Sequence, residues 1–463
     1  MSFDRLTNAP HRYRSTVIDR VGAVTDLLPP RIRYGYVHPA TGRWLGGTLP
    51  VVGSIPNQLS QPRPSLTARA DCDGLSEVVL MAGDIEIGGI GSVIRYLMGR
   101  LPRHGFRPTL VTSTRGERVK ELSAAGCSVH VVRNSDHAVE LLQDLRPDAV
   151  ELHAPGPVLE AAALCTGLPL VPVLHNTEIH YTKRRWRQFE DLLANSAVAI
   201  AVSQTVAEFH RRHVRDDLGD RIRIVPNVDR TDWQPMARPD QQQSARQHLS
   251  SVIGEIRPDT VVVACIARYD VQKNIPGLVA SFLSGVRSDR IHLVVAGEPS
   301  DWVEVRRAQA LCAASGRSSV SLLGRSHAPT LLAAADLFVL NSFFEGWPMA
   351  ASEAAAEGLP LVLADFGGAR ELIEMSPGSV LVTNPCGSVA GVSDRTVRNA
   401  RGRYRRQCNS AELASAIERV AARKPVAEVP IRAGASMAEG HADVLRGVAR
   451  AGGPKQGLWR KSR

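Results

Sequence analysis

The sequence lacks several features that would assign it to a specialised class of protein. No stretch is apolar for about 18 residues, the length that a membrane-spanning helix needs. The seven cysteines are scattered singly with no C-x-x-C pair, which indicates reduced thiols and argues against a zinc site. The first residues, MSFDRLTNAPHRYRS, contain no apolar run typical of a secretory signal. We therefore expect a cytoplasmic protein, with peripheral contact at the inner face of the membrane left open.

The length of the chain indicates how many domains it can form, and its net charge indicates an anionic partner without identifying which one. The chain has 463 residues, which is long enough for two domains with separate cores. Its 56 lysines and arginines exceed its 46 acidic residues, giving a net charge of +10. Nucleic acid, an anionic membrane surface and an anionic small ligand are all compatible with this excess.

Strands and helices alternate along most of the chain, which predicts parallel, doubly wound sheets. We place a first α/β domain at residues 74–235 and a second at residues 259–425, joined at 236–258 by an interdomain linker with a helix. A C-terminal helix and a basic tail are expected at residues 426–463.

Two segments do not show this alternation of strands and helices. Residues 1–73 repeat proline and arginine and are expected to be poorly ordered or packed on the first domain. Residues 390–406 form an arginine-rich stretch that we interpret as an insertion of low order. The function of neither segment can be inferred from its composition.

Residues 335–373 organise the second domain as strand, loop, helix and strand. Glu345 lies in the loop after the apolar run 337–340, Pro348 suits a helix start, and Glu353 follows within that helix. The carboxyl ends of parallel strands bind ligands, and helix N-termini favour anions. Two carboxylates at such a place can accept hydrogen bonds from sugar hydroxyls while the backbone binds phosphate. The alternative is that both are ordinary solvated glutamates.

Two cations follow the first strand of the same domain, residues 260–266. Arg268 can grip phosphate with two parallel hydrogen bonds, and Lys273 supplies a point charge. The sequence thus predicts a phosphate-binding loop here, and a charged loop without a ligand is the alternative.

A glycine-rich segment, Gly88-Gly89-Ile90-Gly91, separates the first strand of the first domain from a helix. Such a segment lets backbone N–H groups approach a diphosphate closely. It is not a dinucleotide fingerprint, because the glycines come well past the strand and no acidic residue is suitably placed beyond them. A turn made of glycines without a ligand remains the alternative.

Histidines end two predicted strands of the first domain. His153 and His175 therefore lie at the edge where parallel sheets bind ligands, although a lone histidine often has a structural role. A basic run follows at residues 183–187, which is either a solvated helix start or a contact for an anionic acceptor or membrane surface.

These motifs together resemble the retaining glycosyltransferases of the GT-B fold, family four. The resemblance covers about residues 76–425 and rests on an ordered set of segments. They are the glycine-rich loop at 88–91, the segment His175-Asn176-Thr177-Glu178, the pair Arg268 and Lys273, the E-x7-E motif from Glu345-Gly346-Trp347-Pro348 to Glu353, and Gly358-Leu359-Pro360 with Gly367-Gly368.

The resemblance implies two Rossmann-like domains facing across a cleft and a defined reaction. A sugar would move from a nucleotide diphosphate sugar to an acceptor hydroxyl on a glycan, a lipid or a small molecule, with retention. The residues implied in catalysis are His175, Arg268, Lys273 and Glu345. Those implied in donor binding are Gly88, Gly89, Arg268, Lys273, Glu345, Gly346, Trp347, Pro348, Met349 and Glu353.

The resemblance also implies that no cofactor and no metal is needed, and we find no Asp-x-Asp pair of the kind metal-dependent transferases use. No nucleic-acid partner is expected. Three rival functions remain: a sugar-nucleotide epimerase on the same fold, a nicotinamide-dependent dehydrogenase, which lacks its fingerprint, and a non-catalytic basic nucleic-acid-binding protein. The donor base, the sugar, the acceptor and the oligomeric state are not readable from the residues.

Overall fold

A computed structural model describes residues 75–86, 88–228, 239–423 and 436–451, together with Arg20, Val24, Thr25, Leu28, 32–37, Ala40, Ser54 and Ile55. The chain divides into two compact units. The seven-stranded unit combines Gln61–Asp232 with Ala433–Arg463, and the six-stranded unit combines Met1–Ser60 with Trp233–Arg432. Most of the predicted extension, the start of the linker and the basic tail lie outside the described residues.

The seven-stranded unit is built on a wholly parallel sheet in the order β3-β2-β1-β4-β5-β6-β7. Its central strands are apolar and buried, as expected of a sheet covered on both faces. The strands are β1 Ser76–Ala82, β2 Phe106–Thr112, β3 Ser128–Val131, β4 Ala149–His153, β5 Leu170–Leu174, β6 Ala199–Ala201 and β7 Ile222–Ile224.

Helices connect these strands and begin at side chains suited to the task. Asn134, Thr182 and Ser203 each accept a hydrogen bond from a first-turn N–H of the helix that follows. The helices are α1 Gly89–Arg100, α2 Glu117–Ala124, α3 Ser135–Leu145, α4 Gly156–Thr166, α5 Lys183–Ala194, α6 Gln204–Arg211 and α7 Asp216–Gly219, and a 3₁₀ turn spans Leu101–His104.

The six-stranded unit has the same architecture, with a parallel sheet in the order β10-β9-β8-β11-β12-β13. Its strands are β8 Val261–Ile266, β9 Ile291–Ala296, β10 Val320–Leu323, β11 Leu337–Leu340, β12 Leu361–Ala364 and β13 Val380–Val382. Its helices are α8 Pro239–Ile253, α9 Ile275–Gly285, α10 Trp302–Ser315, α11 Ala328–Ala334, α12 Met349–Ala356, α13 Ala369–Met375, α14 Asp394–Gly402 and α15 Ser410–Ala421. The two parallel sheets confirm the predicted fold class.

The helix of the predicted linker is part of the six-stranded unit. Arg246 on α8 lies 2.5 Å from the Asp336 carboxylate, and the same carboxylate oxygen accepts from the N–H of Val262 at the start of β8. This ion pair attaches α8 to the beginnings of two neighbouring strands.

The last helix, α16, spans Met437–Ala451 and belongs to the seven-stranded unit. The N–H of Met437 donates to the carbonyl of Val228 at 2.9 Å, and Gly440 packs so closely on Val225 that a side chain there would clash. Helix α16 therefore packs in the unit whose strands come from residues 76–224.

The prediction that residues 390–406 have low order is wrong. Ser393 and Thr396 form a reciprocal capping box that starts α14. Arg401 on this helix is buried and its Nε donates to Glu304 at 2.7 Å. The arginines look like a solvated run in the sequence, but one of them is the buried partner of a carboxylate 97 residues away.

In the described part of the N-terminal extension, Ile55 contacts the six-stranded unit, whereas the sequence predicts an extension that is poorly ordered or packed on the first domain. Ile55 is buried, its N–H donates to the Ser326 hydroxyl at 3.1 Å, and its carbonyl accepts from His327 N–H at 2.9 Å. These paired bonds hold Ile55 beside the start of α11. Within the described ranges, no helix is both long and apolar enough to cross a bilayer.

Candidate active site

Two loops meet at the carboxyl edge of the six-stranded sheet. They follow β8 and β11, which are adjacent parallel strands with Val263 opposite Leu337. The carbonyl of Gln272 in the first loop accepts from the N–H of Phe343 in the second at 2.9 Å. Adjacent parallel strands thus deliver two polar loops to one place, as such sheets do at their ligand-binding edges.

Lys273 and Glu345 form the centre of this site. The Lys273 ammonium lies 2.6 Å from Glu345 Oε1, and the Gln272 amide donates to Oε2 at 3.1 Å. The two side chains of the ion pair are only 17% and 7% exposed, so the charges compensate each other away from most of the solvent. The predicted cation and the predicted carboxylate are therefore direct partners.

Arg268 stands beside this pair with a more open side chain. Its guanidinium lies 3.0 Å from Asp270, and Arg268 is 39% exposed. Asp270 also accepts from the Lys273 N–H at 3.0 Å. Burial raises the pKa of Asp270, and the neighbouring positive charges of Arg268 and Lys273 oppose that effect. Both cations of the site are thus paired with a carboxylate, and Arg268 is the more exposed of the two.

Asn274 holds the loop after β8 in shape. It adopts the left-handed conformation with φ of 52°, which asparagine tolerates better than most residues. Its side-chain amide donates to the Asn341 carbonyl at 3.0 Å and exchanges hydrogen bonds with the Gln407 amide at 2.9 Å. The loop after β8 is thereby fixed to the end of β11.

The loop after β11 runs into α12 through Pro348. Pro348 was predicted as the first helical residue, but it is the N-cap, one position before the observed first helical residue Met349, and no side chain caps the helix. Its carbonyl accepts from Ala351 and Ser352, so the N–H groups of Met349 and Ala350 precede the first intrahelical bonds. The Trp347 indole donates to the Ser352 hydroxyl at 2.6 Å and so fixes the loop to its helix.

Two glycines make room for this loop. A side chain at Gly367, where φ is +60°, would come within 2.6 Å of the Gly346 carbonyl. One at Gly368 would lie 2.2 Å from the Trp347 ring, and the Gly368 N–H donates to the Gly346 carbonyl at 2.9 Å. The close approach explains why glycines stand at these positions.

Glu353 occupies the second turn of α12 and is half-buried. The helix that starts at the site thus carries the second carboxylate of the motif. The structure brings together Arg268, Lys273 and Glu345 at one edge and places Glu353 on the adjoining helix.

In the seven-stranded unit, His153 and His175 meet at the carboxyl edge of adjacent parallel strands, β4 and β5. His153 Nδ1 and His175 Nε2 are 2.9 Å apart. Behind them, His153 Nε2 lies 3.0 Å from Glu151, and His441 of α16 lies 2.9 Å from the same carboxylate. Glu151, His153 and His441 are completely buried, whereas His175 is partly exposed.

Burial and charge act in opposite directions on these groups. Burial alone would raise the pKa of Glu151, but hydrogen bonds and favourable electrostatic interactions with His441 and His153 lower it to about 2. Burial lowers the pKa of His153 despite the carboxylate beside it. Burial also holds the pKa of His175 well below its usual value. The lowered pKa values of His153 and His175 favour neutral imidazoles beside the Glu151 carboxylate.

The glycine-rich loop of this unit has structural reasons for its composition. Gly88 has φ of +90° and precedes α1 as its N-cap, where no side chain caps the helix. A side chain at Gly91 would come within 1.9 Å of the Ile85 carbonyl. Gly89 is the first residue of α1, so the predicted N–H groups do lie at a helix N-terminus.

Two residues that contact the predicted histidines, Glu151 and His441, were not predicted from the sequence. Glu151 could have been noticed, because a glutamate within an otherwise apolar strand needs a partner. His441 gave no such signal, since it lies 290 residues from the carboxylate that it contacts. Among the described residues, no group of three or more His, Cys, Asp or Glu side chains is arranged to hold a metal ion.

Comparison with known families decides the class of the protein. Residues 87–229 match the model of Glycosyltransferase Family 4, and residues 260–399 match that of Glycosyl transferases group 1. The two matched ranges fall in the two units and together span more than half of the chain. The chain belongs to the GT-B glycosyltransferases. The predicted family and enzyme class are confirmed.

A curated relative of this glycosyltransferase comes from Bacillus subtilis. It is TuaC, named as a glycosyltransferase of teichuronic acid biosynthesis, and it is 24% identical over 237 residues. The alignment covers 50% of this chain and 56% of TuaC, so the chain spans little more than half the length of that relative.

Solved structures share the fold of this glycosyltransferase at low identity. HepE of Anabaena, in complex with UDP and glucose, aligns over 74% of this chain and 98% of its own, with a TM-score of 0.58 and 17% identity. A glycosyltransferase from Rickettsia africae aligns over 81% and 98%, with a TM-score of 0.60 and 13% identity. These likenesses support the GT-B fold.

Proposed function

We propose that this glycosyltransferase moves a sugar from a nucleotide diphosphate sugar to an acceptor hydroxyl with retention at the anomeric carbon and without a metal ion. The observation that carries the proposal is the arrangement of Arg268, Lys273 and Glu345 at one sheet edge beside the N-terminus of α12.

The cations of the site can stabilise the negative charge that develops on the leaving group in this reaction. Departure of a nucleoside diphosphate builds negative charge on the β-phosphate, and pre-positioned positive groups lower the energy of that state. Arg268 faces solvent and can grip a phosphate with two hydrogen bonds. Lys273 and the first N–H groups of α12 add charge and dipole at the same edge. These groups fill the role that a divalent cation has in metal-dependent transferases.

The Lys273–Glu345 pair is suited to exchange its partners when the donor binds. Lys273 turns to the diphosphate, and the Glu345 carboxylate, still bonded to Gln272, accepts hydrogen bonds from hydroxyls of the donor sugar. Glu353 accepts from the ribose hydroxyls, and backbone groups of Gly346, Trp347, Pro348 and Met349 hold the sugar. The buried pair keeps both groups ordered before the donor arrives, which reduces the cost of ordering them later.

The remaining predicted residues act in the seven-stranded unit. His175 contacts the transferred sugar, and the N–H groups of Gly88 and Gly89 contribute to diphosphate binding. Neither Glu345 nor Glu353 is a nucleophile in this proposal. The acceptor oxygen bonds to the anomeric carbon on the face from which the diphosphate departs, the bond from that carbon to the phosphate oxygen breaks, and the leaving phosphate takes the acceptor proton. Attack on that same face gives retention.

Two choices of substrate deserve the first tests. HepE was solved with UDP and with UDP-glucose, so UDP sugars are the first donors to try. TuaC is named for teichuronic acid biosynthesis, so a growing surface polysaccharide is the first class of acceptor. Placement at the inner face of the membrane would suit a lipid-linked form of such an acceptor.

Product analysis tests the proposal. UDP, GDP and ADP sugars are incubated with the full chain and chelator, with and without glycan acceptors, and the new anomeric proton is followed by NMR. We expect acceptor-dependent release of one nucleoside diphosphate and a retained anomeric configuration. An inverted product would overturn retention, and a requirement for added metal would overturn metal independence. A new sugar nucleotide formed without acceptor would assign the protein as an epimerase.

A further inference from the structure

In the histidine chain of the seven-stranded unit, the carboxylate at one end fixes which nitrogen donates and which accepts in each hydrogen bond. We use this term for Glu151, His153 and His175, which are joined by contacts of 3.0 and 2.9 Å. An ionised carboxylate only accepts hydrogen bonds, so His153 must present an N–H at Nε2. A neutral imidazole carries a single N–H, so His153 Nδ1 is an acceptor, and His175 must donate to it from Nε2. The proton of His175 is thereby assigned to Nε2 and its lone pair to Nδ1.

We propose that Glu151 and His153 are positioning residues that hold His175 as its Nε2–H tautomer, so that Nδ1 accepts a hydrogen bond from a sugar hydroxyl. The inference rests on the proposed function, in which His175 contacts the transferred sugar. It adds the atom that makes the contact and the direction of the hydrogen bond.

The surroundings support a neutral His153, on which the direction depends. If His153 were charged, it would donate from both nitrogens and reverse the tautomer of His175. His153 is completely buried, and this burial lowers its pKa, which favours the neutral ring at pH 7. Burial likewise lowers the pKa of His175. Both rings therefore carry one proton each, and the carboxylate decides where those protons lie.

His441 anchors the carboxylate from the opposite side. Its Nδ1 lies 2.9 and 3.1 Å from the two oxygens of Glu151, and it is completely buried on α16. Within the described part of the chain, His441 Nε2 is buried and has no hydrogen-bond partner. A bare lone pair there is less costly than an unsatisfied N–H, so the proton of His441 belongs on Nδ1, directed at Glu151.

The direction of the hydrogen bonds in the histidine chain restricts what His175 can bind. A phosphate oxygen needs a donor, which a lone pair at Nδ1 cannot supply, whereas a hydroxyl group can donate to it. The histidine chain therefore selects a hydroxyl of the sugar over a phosphate oxygen at this point. Orientation by a buried carboxylate through an imidazole is an established way to fix a histidine tautomer.

The tautomer can be observed without any ligand. The full chain is labelled with ¹⁵N-histidine, and long-range ¹H–¹⁵N correlation spectra are recorded at pH 7, with His175 assigned from the signals lost in His175→Gln. We expect His175 to show a protonated Nε2 and a bare Nδ1. A protonated Nδ1, or a charged ring, would overturn the inference.

Substitution of His153 tests the role in turnover. In His153→Gln we expect His175 to show a mixture of tautomers and kcat to fall by about 10- to 100-fold, the scale of losing a partner that orients a functional histidine, with little change in donor Kd. His210→Gln is the matched control, because His210 is also a buried histidine of this unit, but its ring Nδ1 bonds to the Val206 carbonyl and not to the histidine chain. Equal losses of kcat in the two variants would reduce His153 to a packing residue and overturn the proposal.

A second variant keeps the test decisive if His153→Gln does not fold. Glu151→Gln nearly preserves shape but lets the side chain donate as well as accept, so His175 should again lose its single tautomer. An unchanged His175 spectrum in this variant would contradict the inference. If His175 has the expected tautomer but the unsubstituted protein transfers no sugar, the proposed function fails and the assignment of the tautomer stands.

Discussion

The two units share a parallel-sheet architecture but differ in the chemistry at their carboxyl edges. In the six-stranded unit, cations and carboxylates alternate in two loops, and Arg268 is open to solvent. In the seven-stranded unit, one carboxylate and three histidines form a nearly solvent-free set. The same fold can therefore supply charge at one edge and a fixed hydrogen-bond direction at another, depending on the few residues that end its strands.

Burial explains how each edge can work. Lys273 and Glu345 keep some exposure, so a charged ligand can take the place of either partner. Glu151 is fully enclosed and bonded to two histidines, so its partners cannot be exchanged without unfolding its surroundings. We infer that at the edge of the six-stranded sheet a ligand replaces a partner of the Lys273–Glu345 pair. At the edge of the seven-stranded sheet, the buried carboxylate instead holds His175 in a fixed orientation.

The largest effect is expected at the lysine. Lys273→Ala removes a cation from the leaving phosphate, and we expect kcat/KM to fall by about 1000-fold. It also leaves Glu345 without its cation, at a cost of about 3 kcal/mol in the free energy of unfolding. Arg290→Ala is the control, because Arg290 forms an exposed pair with Asp259 and should leave kcat/KM unchanged. Initial rates in both variants measure the difference, and near-normal turnover in Lys273→Ala would contradict the account.

Removal of the carboxylate should separate turnover from nucleotide affinity. Glu345→Gln is expected to lower kcat by about 100-fold, since the donor sugar loses a charged acceptor. The affinity for the nucleoside diphosphate should stay the same or rise, because Lys273 no longer has to leave an ion pair. Calorimetry and initial rates measure both quantities. A loss of affinity as large as that in Lys273→Ala would show that the two residues bind only as a unit.

Acid should destabilise the seven-stranded unit through its buried histidines. Burial lowers the pKa of His210 to about 4, so the unfolded chain gains a proton below about pH 6.5 and the folded chain does not. The free energy of unfolding should therefore fall by about 2 kcal/mol for this group between pH 6.5 and 5. Glu151, with a pKa of about 2, contributes stability above about pH 4.5 that is lost as the pH falls towards 2.

Hydrogen exchange of α6 peptides at pH 7 and 5 measures this loss, and His210→Gln should flatten the dependence. Asp270 in the six-stranded unit has the opposite sign, because its pKa is raised and its contribution declines as the pH rises. Equal acid sensitivity of α6 in the wild type and in His210→Gln would contradict the assignment.

The smallest effect is expected at the second glutamate of the motif. Glu353→Ala should weaken nucleotide binding by about 10-fold, the value of one or two lost hydrogen bonds to a charged acceptor, with the fold unaffected. Glu374→Ala on α13 is the control, because that glutamate is exposed. Calorimetry with the nucleotide should show the loss in the first variant alone, and equal binding in both would remove Glu353 from the site.

The sequence predicts those parts of the site that follow from strand order. Arg268, Lys273 and Glu345 could be brought together on paper because each follows a strand of the same parallel sheet, and strand ends converge. Partners from distant elements could not be predicted in this way. Arg401 looks like one of many solvated arginines until α14 places it against Glu304, and His441 reaches Glu151 only because α16 packs in the unit formed by much earlier residues.

Nucleotide binding by calorimetry in the presence of chelator tests the central claim most directly. UDP, GDP and ADP are titrated into the full chain, beginning with UDP. We predict metal-independent binding of one of them, lost in Lys273→Ala and retained in Arg290→Ala. If a folded protein binds none of the three, or binds only after a divalent cation is added, then Arg268 and Lys273 do not hold the donor diphosphate as proposed.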